Sequence, residues 1–238
     1  LHDIAGGEDK WRARPIVSNS KCFVVQPLRI ATESCQVMEE AVMAGMPVLL
    51  LSAGQAGATA PAAIAGAIAQ ALAEVIAGLI YVNAMKPGHP CIVGTWPFVS
   101  DLRTGAMSGG SGEQGLLTAA CAQMLQYYNL PGGAASGMAD SKMPDAQSGY
   151  EKGSTLVMAG LSGLNMVYEA AGMHASLLGF CLESLIIDND MLGQCLRCVR
   201  GIEVNDQTIG IQVMKDVCMG GPGHYPVSYT HLTLPTKA

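Results

Sequence analysis

The chain has 238 residues, of which 50% are hydrophobic and 13% charged, against a usual charged share of ~25%. That length supports one large core or a substantial piece of one, and the low charge, with 29 Gly and 14 Met, points to a body that meets another subunit or the rest of a longer chain. The formal net charge is −6 and no basic cluster is present, which excludes nucleic acid as a partner.

The chain begins at Leu1 rather than Met and shows no secretory leader, so it is read as an N-terminally truncated fragment. The apolar pattern predicts a strand over 16–25, a helix over 32–43 and a short, unbroken apolar strand over 46–51. A helix over 59–85 follows, with Thr59 and Pro61 as its cap and first-turn residues. Its stretch 60–82 has the length of a membrane span, but Gln70 and Glu74 interrupt it, and a buried helix is expected instead. Next come a strand over 90–94, a glycine-rich loop, and a helix over 113–127 with Leu117, Cys121, Met124 and Tyr128 on one face. A weak small-residue strand over 134–138, a helix over 145–161, a strand over 165–168 and helices over 174–187, 190–199 and 205–219 complete the pattern. After Tyr225 the composition breaks, and 226–238 reads as an adapter-derived artefact.

The eight cysteines are scattered through apolar segments. Cys195 and Cys198 form a C-x-x-C, but in mid-helix and without a second pair at zinc spacing. Buried, reduced thiols are expected, with no metal site and a cytoplasmic location.

Solidly apolar strands are covered on both faces, and their alternation with helices means parallel βα units of the α/β class. Neither a dinucleotide fingerprint nor a Walker loop follows any strand. Polar residues do follow the strands: Gln55 and Thr59, the run 96–103, the run 140–147, and Glu169 with His174. In a (β/α)8 TIM barrel such ends converge on one mouth. A partial TIM barrel of about five βα units plus C-terminal helices is therefore expected, with residues 1–225 as the central and C-terminal part of one domain.

Trp96 and Phe98 flank Pro97 directly after a strand, and Tyr168 and Glu169 end another. A quaternary ammonium has no N–H to donate, so aromatic faces and a nearby carboxylate must recognise it. The competing reading is loop anchoring. Asp101 and Arg103 are expected to pair within their loop, and Glu113 to complement the dipole of the next helix behind a cap at Ser111 or Gly112. Asp140, Lys142, Asp145 and Gln147 form a second polar loop, in which Asp145 and Gln147 also suit helix capping. Gln55 is a candidate ligand-facing amide, and His174 a candidate ligand or catalytic group.

The segments 52–61, 96–114, 137–142, 144–152 and 201–204 resemble the trimethylamine methyltransferase family, and the similarity extends over about residues 12–225. The resemblance implies a TIM barrel, usually oligomeric, that passes a methyl group from a methylated amine to the Co(I) corrinoid of a separate partner protein. The founding enzymes use pyrrolysine; here 140–145 runs through with standard residues, as in the larger branch that includes glycine betaine methyltransferases. A betaine-like quaternary amine is thus the expected substrate, with trimethylamine as the other candidate. Carried onto this sequence, Gln55, Trp96, Phe98, Tyr168 and His174 become substrate-binding candidates, and Asp101, Glu113, Asp140, Lys142 and Glu169 catalytic candidates. Arg103, Gly109, Gly110, Ser111, Gly112, Asp145 and Gln147 become corrinoid-facing candidates. Two other readings stay open: a barrel lyase or aldolase working through Lys142, and a non-catalytic barrel fragment.

Overall fold

The computed structural model describes residues 1–221 and 223–225. The segment expected to be artefactual, 226–238, lies outside them. The chain divides into two compact units, Leu1–Leu196 and Arg197–Ala238.

The first unit is built on five parallel strands: β1 (Asn19–Cys22), β2 (Val48–Ser52), β3 (Cys91–Thr95), β4 (Gly132–Ala135) and β5 (Met166–Tyr168). They lie in chain order across the sheet, each paired with the next. The crossovers are α1 (Thr32–Met43), α2 (Ile64–Met85), α3 (Gly112–Tyr127) and α4 (Ala146–Leu161), and α5 (Leu182–Val199) begins after β5. Successive helices pack on one another: α1 on α2, α2 on α3 and α3 on α4. The sheet ends at β1 and β5 without closing, so the expected barrel is here an open five-stranded sheet.

Strand alternation sorts the side chains. Val48 and Leu50 face α1 and α2, in a core with Met38, Val42, Val82 and Phe23. Val93 faces Leu72, Val75 and Leu125. The register puts Leu51, Gly94, Gly133 and Met166 in one row on the opposite face, with Ala135 and Tyr168 two residues further on. That face carries half-buried Ile92, Trp96 and Tyr168 and exposed Met166.

Helix α2 is the one described helix long and apolar enough to cross a membrane. It packs Ala67, Ala71, Leu72, Val75 and Val82 inward. It starts five residues later than expected, because the Thr59 hydroxyl accepts from the Gln55 N–H at 2.9 Å and closes a turn instead of capping the helix. The expected helix over 174–187 is also corrected. Met173–His174 and Gly179–Phe180 form an antiparallel hairpin, and α5 runs unbroken from Leu182 to Val199. In the second unit, the helix expected over 205–219 is broken at left-handed Gly210 into Asp206–Ile209 and Ile211–Cys218.

The cysteine expectation holds only in part. Cys121 and Cys195 are buried, whereas Cys22, Cys198 and Cys218 are exposed, and none of the eight is in a disulfide. Burial pushes the Cys91 thiol up to about 11 and the Cys121 thiol up to about 12, so neither is a thiolate at neutral pH.

Candidate functional site

Past their ends, β2 and β3 continue into a small sheet of Gln55–Ala56, Phe98–Ser100 and Met107–Ser108. Gln55 pairs with Phe98 through the backbone. The turn between Ser100 and Met107 is closed by Asp101, whose carboxylate accepts the Arg103 N–H at 2.8 Å and meets the Arg103 guanidinium at 3.5 Å. These bonds, the Arg103 N–H foremost, hold the Asp101 carboxyl below the usual carboxylate range.

Asp140 lies in the loop after β4 and is engaged on both oxygens. Oδ1 accepts the N–H groups of Gly109 at 2.6 Å and Gly110 at 3.2 Å and the Ser176 hydroxyl, while Oδ2 accepts the Ser108 hydroxyl. Below it, buried Glu151 of α4 accepts the N–H groups of Asp140 at 2.8 Å and Ser141 at 3.3 Å, and its other oxygen takes the Gln147 amide at 2.8 Å. Gly110 is glycine for a close approach: a Cβ there would lie 2.7 Å from the Glu151 carboxyl carbon. Asp145 is the N-cap of α4, in a capping box with Ser148, and takes the Ser141 hydroxyl at 2.9 Å. The Ser148 N–H, then the Ser141 hydroxyl, hold the Asp145 carboxyl below its ordinary value.

A buried polar network underlies this loop. Lys152 of α4 is fully buried and donates to Asp188 of α5 at 2.6 Å; the same oxygen accepts the Gly172 N–H at 2.7 Å. His174 is 2% exposed. Its Nδ1 lies 3.2 Å from the Ser141 carbonyl oxygen, which assigns the proton to Nδ1 and leaves Nε2 to accept from the Ser184 hydroxyl. Lys152 Nζ stands 3.4 Å from the same Nε2. His174 therefore secures the hairpin and is closed off from any ligand.

A second cluster, after β3 and β5, is aromatic. The Trp96 and Tyr168 rings lie 5.2 Å apart at 47°, with Tyr168 over Gly133. Phe98, expected in this wall, is 6% exposed and instead forms its core with Ala135 and Met138. Trp96, Met107, Met173 and Leu177 pack on that core. The buried polar atoms without a partner at these strand ends include the Trp96 indole nitrogen and Glu169 Oε2, together with the hydroxyls of Thr95, Ser100 and Ser136. Burial pushes both the Glu169 carboxyl and the Tyr168 hydroxyl up from their ordinary values. Glu169 also has a left-handed backbone, φ 63°. A cavity of about 620 Å³ opens beside this cluster, lined by Asp101, Met107, Asp140, Lys142, Ser176 and Leu177 among others.

The sequence model of the trimethylamine methyltransferase (MTTB) family matches residues 1–232. The chain belongs to the trimethylamine methyltransferase family. It is 36% identical over 218 residues to a trimethylamine methyltransferase of Desulfitobacterium hafniense, covering 92% of this chain and 44% of that protein. It is 34% identical over 215 residues to one of Methanosarcina thermophila, covering 90% of this chain and 44% of that protein. A glycine betaine methyltransferase of a second Desulfitobacterium hafniense strain is 32% identical over 228 residues, covering 96% of this chain and 47% of that protein. The chain thus spans less than half the length of these relatives.

For a trimethylamine methyltransferase family chain, the expected corrinoid-facing set is mostly committed to internal contacts. The Gly109 and Gly110 N–H groups belong to Asp140, and Met138 and Glu151 fill the space beside these glycines. Ser111 caps α3 by accepting the Gln114 N–H at 3.2 Å, and Asp145 caps α4. Gln147 binds Glu151, and Arg103 is exposed on Asp101. Of the set, Gly112 has open space beside it. Glu113 is exposed in the first turn of α3, outside the cavity lining. Lys142 reaches the cavity but is exposed, and a Schiff-base lysine needs desolvation. The lysine that is desolvated, Lys152, is locked to Asp188.

Sequence reasoning passed over Glu151, Lys152, Ser176 and Asp188, because their partners are distant in the chain. For buried Glu74 a signal did exist. Gln70 and Glu74 stand four apart in an otherwise apolar helix, and Glu74 accepts from Gln70, from the Leu28 N–H at 2.9 Å and from the Ser52 hydroxyl.

Proposed function

We propose that this chain supplies the amine-binding mouth of a methyltransferase acting on quaternary or tertiary methylated amines, betaine-like ones foremost. The observation that carries this reading is the unpartnered Glu169 oxygen next to Tyr168, whose ring packs against Trp96. An uncompensated half-buried carboxylate is costly alone. A quaternary ammonium supplies charge without needing an acceptor, and aromatic faces add cation–π attraction. Lys142 and Asp101 at the neighbouring cavity offer one charge of each sign, which suits a zwitterion that carries a carboxylate. In this reading Trp96 and Tyr168 orient the N–methyl group and exclude water, and Glu169 offsets the cation.

The acceptor in this reading is a Co(I) corrinoid carried by a separate protein, a nucleophile for the methyl carbon. The fold is taken as part of a (β/α)8 barrel: strand order follows chain order and the crossover helices pack in succession, as around a barrel and unlike a doubly wound sheet. Exposed free thiols favour a reducing, cytoplasmic setting.

The test is methyl transfer by the full-length protein with its corrinoid protein, a reductant and a panel of betaines and methylamines. Methyl–cobalt formation with a betaine is expected. Its absence with every amine would sink the reading. Trp96→Ala should raise KM for the active amine about tenfold, the scale of a lost cation–π contact.

A further inference from the structure

Three consecutive residues at the tip of the Met173–Phe180 hairpin, none of them glycine, are left-handed: Ala175 at φ 49°, Ser176 at φ 50° and Leu177 at φ 76°. Each such conformation is disfavoured for an L-residue and persists only where the surroundings hold it. The surroundings here are specific. The Ala175 N–H donates to the Ser141 carbonyl at 2.9 Å and the Ser176 N–H to the Ala139 carbonyl at 3.0 Å. The Ser176 hydroxyl donates to Asp140, whose carboxylate also gathers Ser108, Gly109 and Gly110 from the loop after β3. Two backbone N–H groups and two hydroxyls thus converge on one carboxylate, the arrangement that elsewhere binds an external anion. Here the anion is part of the chain.

We propose that Asp140 is a positioning residue that works as an internal hydrogen-bond acceptor. Its carboxylate fills the Ser108–Gly110 nest, draws the strained 175–177 tip onto it, and so sets the spacing of the two lips of the cavity. This departs from the expectation that Asp140 acts catalytically on the amine. The oxygens are divided so that the role needs shape more than charge. Oδ1 takes Gly109, Gly110 and Ser176, and Oδ2 meets a hydroxyl that can also accept. An asparagine keeps all four contacts if its amide donates to Ser108.

The kinetic arm rests on the proposed amine reading; the exchange arm does not. Hydrogen exchange over 105–112 and 173–180 in the full-length protein should rise about tenfold or more for Asp140→Ala and far less for Asp140→Asn. Adding acetate or formate to Asp140→Ala should restore protection in both segments together. In methyl transfer, Asp140→Ala should lose about 10–100-fold in kcat/KM, with partial rescue by the same anions, and Asp140→Asn should lose much less. If Asn is as impaired as Ala in exchange, or if the anions restore neither segment, the proposal is overturned. If exchange behaves as expected but Asn matches Ala in kcat/KM, the carboxylate charge acts on substrate and the proposal fails in its kinetic half. If the wild type transfers no methyl group, the amine reading fails while the exchange result still decides the clamp.

Discussion

Asp140 and Glu169 follow neighbouring strands, β4 and β5, yet their carboxylates stand in opposite surroundings. Asp140 meets two N–H groups and two hydroxyls, and the residue beneath it, Glu151, takes three more donors. Glu169 keeps a buried oxygen with no partner. On the Asp140 side both carboxylates are matched; on the Glu169 side one carboxylate oxygen is not. Buried polar groups are normally paired, so the matched carboxylates tie their loops together, and the unmatched one is the group on which the proposed amine reading rests.

Removing a buried counter-ion should break the Asp140 side most severely. Lys152→Met leaves Asp188 charged and enclosed, and should lower unfolding free energy by about 3–5 kcal/mol. Chemical denaturation reads this directly, and restoring most of the loss with Lys152→Met/Asp188→Leu would show that the penalty is the orphaned charge. A loss below about 1 kcal/mol would mean that the ion pair is not enclosed as described. Crowding the same side is the next largest effect. Gly110→Ala drives a methyl into the Glu151 carboxyl and should cost about 1–3 kcal/mol, whereas Gly112→Ala, with open space beside it, should be neutral or slightly stabilising in the same assay.

The Glu169 side responds with the opposite sign. Burial raises the Glu169 carboxyl above its ordinary value of 4.5, so the folded state resists ionisation there. Its favourable contribution is complete below the unfolded value and is lost as pH rises through the folded one. Glu169→Gln should therefore melt with the wild type in acid and above it at neutral pH, and on the proposed amine reading it should also bind a betaine more weakly. Equal melting at both pH values would show that Glu169 is solvated and ordinary. The smallest effect belongs to the exposed Asp101–Arg103 pair. Arg103→Ala should leave the melting midpoint unmoved within error, and a clear drop would give that loop a part in the clamp.

Much of this comparison was invisible one residue at a time. The strands expected over 46–51 and 90–94, the helix over 32–43, a cap at Ser111 or Gly112 and the capping suit of Asp145 were legible, because each depends on neighbours within a turn or a strand. The Asp101–Arg103 contact was legible for the same reason. Its family membership was likewise carried by runs of sequence. The roles of Phe98, His174 and the glycines were not. Phe98 is buried because Ala135 and Met138 come to it, and His174 because Ser141, Lys152 and Ser184 do. Gly109 and Gly110 face Asp140 from about thirty residues away.

By itself, the sequence determined that this is an α/β chain of parallel units with polar loops after its strands, since periodicity and capping are local and each residue type bears them alone. Only the tertiary structure decided which of those polar groups are already matched. Matching is a property of pairs, and the partners of Asp140, Glu151, Lys152 and Glu169 are chosen by how separate loops meet.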